Sequence, residues 1–186
     1  ATFILRRSAS GDGGRSVGDL SGLSLAVGVA LSDWCAELKL DVRLKWPNDV
    51  LSLRGDKLAG VLIELLNREG VTYVLIGIGM NISHAPPEVP HSTCLATLRE
   101  YNWTPDQVLS GVAEHLGRAW ELFEARGMEA FIARWSKVAW GIGEPIQVQQ
   151  GECMVSGQMQ GIAPDGALLV GQDSGAVIRV TSGILL

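Results

Sequence analysis

Residues 45–62, KWPNDVLSLRGDKLAGVL, hold the densest set of groups that could do chemistry. Two lysines, Lys45 and Lys57, stand with Asn48 and Asp49 among apolar, strand-like residues. An ammonium on a half-buried strand is costly unless it reaches an anion or water. A hairpin that brought both lysines together would make a cationic pocket suited to phosphates or a carboxylate. Asp49 offers the hard oxygen that suits a magnesium ion bridging phosphates. Gly60 would let a flat polar ligand approach the backbone closely. The same residues also read as ordinary exposed strand lysines, a turn Asn-Asp and a turn glycine. The residues alone leave both readings open.

The elements that must position these groups can be read around them. Residues 42–46 form a strand stopped by Pro47, with Asn48 and Asp49 in the turn. Residues 50–53 resume extended structure, Arg54-Gly55-Asp56 turns tightly, and residues 57–66 return as a second strand, which makes a hairpin. Residues 71–76 (VTYVLI) are strongly β-prone, and 77–81 (GIGMN) continue from them. Upstream, residues 1–7 read as a strand already in progress, so residues before Ala1 are expected in the natural protein. The Gly- and Ser-rich residues 8–18 read as a flexible loop. Leu20, Leu23, Val27, Leu31 and Trp34 recur at helical steps and predict one apolar helix face.

Downstream, the Pro-rich residues 84–92 predict a loop. Thr104 and Pro105 read as the N-cap and first position of a helix over 108–125, and 127–135 supply another. From about Trp140 the pattern changes to short β segments, 145–149, 153–160, 167–171 and 176–180, parted by Gly-rich or Asp-Gly turns. That spacing suggests a small barrel. The chain therefore reads as an α+β domain over 1–139 and a compact β domain over 140–186.

Composition excludes several classes. A net charge of −5 argues against broad binding to a nucleic-acid backbone. The run 23–31 is interrupted by Ser24 and Gly28, and nothing approaches the roughly 18 apolar residues of a membrane helix. The N-terminus lacks the pattern of a signal peptide. Cys35, Cys94 and Cys153 lie far apart without C-x-x-C spacing, which suggests a reducing cytoplasm and cysteines acting as small buried apolar residues. His84, His91 and Cys94 imitate metal-ligand spacing, but a fourth ligand is not evident. Trp34, Trp103, Trp120, Trp135 and Trp140 read as core or interface residues, Trp46 as packing that fixes its strand, and Glu64 as no general base.

Three strings in order carry a resemblance: Lys45-Trp46-Pro47-Asn48-Asp49, Lys57-Leu58-Ala59-Gly60, and Gly77-Ile78-Gly79-Met80-Asn81. Together they resemble the signature set of biotin–protein ligases. Residues 161–170 (GIAPDGALLV) are similar to the family's small C-terminal barrel. The resemblance implies a mixed β-sheet with packed helices, as in class II aminoacyl-tRNA synthetases and biotin ligases, followed by an SH3-like β-barrel. It implies an ATP-dependent ligase that forms biotinyl-AMP and transfers biotin to a lysine of a biotin carboxyl carrier protein, an acetyl-CoA carboxylase subunit. Biotin and ATP would be substrates, with Mg2+ alongside.

Residue by residue, the resemblance places Lys57 beside the biotin carboxylate and the α-phosphate, and Lys45 on the ATP phosphates. Asn48 and Asp49 would assist phosphate and magnesium placement. Gly60 and Leu62 would meet the biotin ring through backbone groups, Asn81 would recognise adenine, and Gly77 and Gly79 would admit the nucleotide. Residues 84–92 match a loop that orders over the adenylate. Relatives form homodimers through sheet edges. Two family elements, a Gly/Arg-rich loop and an Asp-Ser-Thr-Asn segment, would precede the first strand and are not in this sequence; GDGGR at 11–15 follows that strand and is not equated with them. Two alternatives stand beside the ligase: a biotinyl-adenylate-binding regulator with an upstream DNA-binding domain, and a lipoate ligase or transferase relative.

Overall fold

The computed structural model describes residues 1–8 and 20–186, with side chains from 1–6 and 20–186. Of the loop expected over 8–18, Ser8 instead ends the first strand, and residues 9–18, including GDGGR, lie outside the described residues. The first sheet has five antiparallel strands in the order β1-β5-β4-β3-β2: β1 (Thr2–Ser8), β2 (Val42–Lys45), β3 (Asp49–Ser52), β4 (Lys57–Arg68) and β5 (Val71–Met80). Its two faces differ. Val74, Ile76 and Ile78 alternate into the core, while Tyr73, Leu75, Gly77 and Gly79 face the other way.

Helix α1 (Leu23–Glu37) packs directly on β2, β3 and β4. The sequence predicts one apolar face; instead α1 is buried nearly all round, from Leu23 to Cys35. The reason is its position, because α3 (Pro105–Arg126) and α4 (Ile132–Val138) cover the sides that the sheet leaves open. The start of α3 is as expected: Thr104 Oγ1 accepts from the Gln107 N–H and Gln107 Oε1 accepts from the Thr104 N–H, with Pro105 at the first position. The helical stretch foreseen at 127–135 divides into a 3-10 turn, Met128–Phe131, and α4. One helical turn, α2 (Leu95–Leu98), was not foreseen.

The second sheet is also antiparallel, in the order β10-β6-β7-β8-β9: β6 (Pro145–Gln150), β7 (Cys153–Ile162), β8 (Leu168–Gly171), β9 (Val177–Val180) and β10 (Ile184–Leu185). Only the two-residue β10 goes beyond the segments read from the sequence. Val148, Met159, Leu168, Val170 and Val180 turn inward and join the core begun by α1 and the first sheet. Cys35 and Cys94 are buried as expected, but Cys153 is exposed. It opens β7 after the Gly151 turn, where the strand has little packed against it. No helix among the described residues is long and apolar enough to cross a membrane.

Candidate functional site

Strand register sets the site. Lys45 pairs with Asp49, Asp49 with Gly60, and Gly60 with Gly79. Directly opposed residues of an antiparallel ladder point to the same face. These four therefore form one row across β2, β3, β4 and β5 on the face turned away from the helices. The next row on that face is Leu62, Gly77 and Thr2.

Lys57 joins this row through a bulge. It lies three residues before Gly60, and in an uninterrupted strand it would point to the opposite face. The β3–β4 register shifts between Val50 and Leu51, pairing Val50 with Ala59 but Leu51 with Lys57. Leu58 and Ala59 both turn into the core, and Lys57 is re-aimed onto the face of Gly60. Its Nζ lies 2.6 Å from Asp49 Oδ1. That carboxylate oxygen is closed to solvent, and its polar contact among the described residues is this ammonium. A Cβ on Gly60 would stand 3.3 Å from Asp49 Oδ1 and from Lys57 Cε and Nζ, so the glycine leaves room for the pair.

The backbone of Lys57 is held too. Its N–H donates to the His91 carbonyl at 2.7 Å, and its carbonyl accepts from the Thr93 N–H at 2.9 Å. Asn81 ties that segment down, its Nδ2 donating to the Thr93 carbonyl at 2.9 Å and its backbone N–H to the Leu58 carbonyl at 3.0 Å. Thus the Pro-rich loop runs beside the lysine rather than away from it. Asn48 makes a comparable clamp: its Nδ2 donates to the Val61 carbonyl at 2.8 Å, and the Val61 N–H donates back to the Asn48 backbone carbonyl at 2.9 Å. In this arrangement both asparagine amides bind protein backbone.

Charge along the row is unbalanced. Two ammonium groups flank one carboxylate, and Asp49 is taken by Lys57. Lys45 has no ion-pair partner among the described residues. A half-buried free cation beside a paired one attracts an anion. The space to receive it lies over β5. A Cβ on Gly79 would have no atom within 4 Å, and Leu62, 59% exposed, stands opposite Gly77 on the same face. The site thus presents cations at one end and an open, partly apolar floor at the other, which suits an elongated anionic ligand. Glu64, on the same face of β4, is exposed and distant from the ion pair in register.

No group of three or more His, Cys, Asp or Glu side chains that could hold a metal ion occurs among the described residues. The one carboxylate in the row has its buried oxygen on Lys57. Sequence reasoning missed the bulge and the His91–Thr93 brace. The first had a signal, two consecutive apolar residues between Lys57 and Gly60; the second depends on backbone atoms and had none.

Comparison with known proteins is consistent with this geometry. Residues 12–81 match the Biotin/lipoate A/B protein ligase family and residues 141–184 the Biotin protein ligase C terminal domain. The chain is 35% identical over 157 residues to the bifunctional ligase/repressor BirA of Escherichia coli K12, covering 82% of this chain and 49% of the relative. It is 46% identical over 81 residues to the biotin–[acetyl-CoA-carboxylase] ligase of Mycobacterium tuberculosis, covering 41% of this chain and 29% of the relative. The chain spans about half the length of the first of these relatives and less of the second. Among solved structures, the apo form of the biotin protein ligase from Aquifex aeolicus superposes with a TM-score of 0.81 at 24% identity, over 100% of this chain and 81% of that one. The catalytic-domain and C-terminal matches, in that order along one fold, place this chain in the biotin protein ligase family.

Proposed function

We propose that this chain supplies the biotin- and ATP-binding part of a ligase that activates biotin as biotinyl-AMP and passes it to a carrier lysine. The observation that carries this reading is the row Lys45–Asp49–Gly60–Gly79 with Lys57 turned into it: two cations against one carboxylate, next to open space over Gly79. In the first step a biotin carboxylate oxygen bonds to the α-phosphorus of ATP. The bond from that phosphorus to the bridging oxygen of the β-phosphate breaks, and pyrophosphate leaves. Lys57 sits where charge on the carboxylate and α-phosphate would be balanced, and Lys45 takes the remaining phosphates. The face of β5 at Gly77 and Gly79 receives the nucleotide, while Gly60 and Leu62 border biotin. In the second step the carrier amine attacks the activated carbonyl, AMP departs, and the amine proton passes to solvent. The chain mainly positions reactants, and no covalent intermediate on it is needed.

Magnesium in this reading travels with the ATP phosphates rather than in a protein cage, as is usual for that ion. The M. tuberculosis relative is named for an acetyl-CoA carboxylase, so the proposed acceptor is the biotin carboxyl carrier subunit of such an enzyme. The free outer edge of β1 is where a second copy would pair. Release of pyrophosphate from ATP by the full-length protein, dependent on biotin, is the expected result. No biotin-dependent release, with the carrier lysine left unmodified, would remove this function.

A further inference from the structure

The strands bearing the lysines are gripped from outside their own sheet. Trp46 follows Lys45 directly, is 2% exposed, and donates its indole N–H to the Gly166 carbonyl at 3.1 Å, across 120 residues of sequence. Gly166 sits in the turn from β7 to β8, and that turn is heavily bonded. Its N–H donates to the Ala163 carbonyl and the Ala163 N–H to the Ala167 carbonyl, both at 2.8 Å. Asp165 Oδ1 accepts from the Ala167 N–H at 3.2 Å, and Asp165 Oδ2 pairs with Arg179 of β9 at 2.6 Å. Gly166 has φ +81°, and a Cβ there would lie 2.6 Å from Gly22 Cα, so the turn rests on the backbone that opens α1. From that helix Ser24 Oγ donates to the Pro47 carbonyl at 3.1 Å.

A second grip lies on the other side of Lys45. The Trp140 N–H donates to the Leu44 carbonyl at 2.9 Å. The Trp140 ring covers Gly55 in the β3–β4 turn, with Cη2 3.0 Å from where a Cβ would stand. The residues immediately before and after Lys45 are therefore both fixed from the C-terminal part of the chain. Lys57 is held independently, by Asp49 on its ammonium and by His91 and Thr93 on its backbone.

We propose that Trp46 and the Asp165–Gly166 turn are positioning residues for Lys45. The second sheet, through one buried hydrogen bond, sets where the Lys45 ammonium stands, and with it the affinity for the triphosphate but not for biotin. The proposal rests on the ligase reading for the identity of that anion.

Trp46→Phe keeps most of the buried ring and removes the N–H. Arg179→Gln removes the ion pair that holds Asp165 in the turn. The expected result is a rise in KM for ATP of about tenfold for Trp46→Phe, the scale of one lost buried hydrogen bond, and about threefold for Arg179→Gln. KM for biotin and kcat stay within about twofold, and cooperative melting is retained. Because both act through one turn, the double variant exceeds Trp46→Phe alone by less than the product of the two effects. Calorimetric titration with ATP, without biotin, should weaken in the same order. Unchanged ATP affinity in both variants overturns the proposal, as does an equal loss for ATP and biotin together with a lower melting temperature. If Trp46→Phe does not fold, Arg179→Gln decides alone by the same criteria. Wild-type protein that binds ATP but makes no biotinyl-AMP would sink the ligase reading, while the calorimetry would still judge the positioning.

Discussion

Around Lys57 the chain leaves little to chance, whereas on the neighbouring strand, over Gly79, it leaves almost everything open. The lysine is held at its tip by Asp49 and at its backbone by His91 and Thr93, and a strand bulge exists that turns it to the right face. Over β5 the same face carries glycines, with nothing near the position a Cβ on Gly79 would take. The difference teaches a division of labour. Groups that balance charge must be pre-organised, because an ammonium that has to find its place contributes little to a transition state. Groups that only make room must be small.

The largest effect should come from removing the held cation. Lys57→Ala is expected to lower biotinyl-AMP formation by roughly 10²–10³-fold, the scale of a lost preorganised electrostatic contact. Asp49 Oδ1 loses its ammonium, so melting should fall modestly while the fold is kept. Near-normal turnover by a folded Lys57→Ala protein would show that the braced end is scaffold only.

Asp49→Asn separates holding a lysine from holding a metal. With the carboxylate spent on Lys57, biotin binding in the absence of any metal should weaken by roughly tenfold or more, as for a lost hydrogen bond to a charged group. The magnesium concentration for half-maximal turnover should not move. The opposite pattern, intact metal-free binding with a raised magnesium requirement, would return Asp49 to metal coordination.

At the open end the contrast is between two glycines in one row. Gly79→Ala should fold with wild-type stability, since its Cβ meets nothing within 4 Å, yet raise KM for ATP by several-fold, on the order of one displaced contact. Gly60→Ala would press on Asp49 and Lys57 at 3.3 Å and so should lower kcat instead. If Gly79→Ala leaves ATP kinetics untouched, the nucleotide does not lie over β5.

Much of this was legible before the fold was known, and the remainder was hidden for physical reasons. The α3 start is local chemistry within four residues, so Thr104 and Pro105 announced it, and Gln107 completes the cap. Strand–turn–strand order around Arg54-Gly55-Asp56 is equally local. The bulge is less so: the consecutive apolar pair Leu58-Ala59 is its signal in the sequence, but the same pair also fits a strand buried on both faces, and pairing to β3 decides between them. The backbone partners of Asn48 and Asn81 were hidden because an amide in a motif carries no label for its partner; their Nδ2 groups donate to the Val61 and Thr93 carbonyls. The Trp46–Gly166 contact joins residues that no spacing rule could connect. The burial of α1 on nearly all sides required knowing what lies on each side of it.

The smallest effect is a ranking of thiols, and it tests whether the braced end is tighter than its surroundings. Cys153 is exposed and should be alkylated at once by a small maleimide near pH 8. Cys94 directly follows Thr93 and is buried, with Sγ 3.2 Å from Thr97 Oγ1, so its labelling reports opening of the segment that holds Lys57. Cys35 is fully buried in α1 beneath the lysine-bearing strands, and desolvation pushes its thiol up from 9.0 to about 12. A folded pKa above the unfolded one means that Cys35 opposes folding only as pH rises from about 9 toward 12, where the unfolded chain ionises and the folded one does not. At pH 8 it should therefore react only on global unfolding, after Cys94, and ATP with biotin should slow Cys94 while leaving Cys153 unchanged. Cys94 reacting as fast as Cys153 would mean that the His91–Thr93 brace is open much of the time, and the contrast between the two ends of the site would lose its basis.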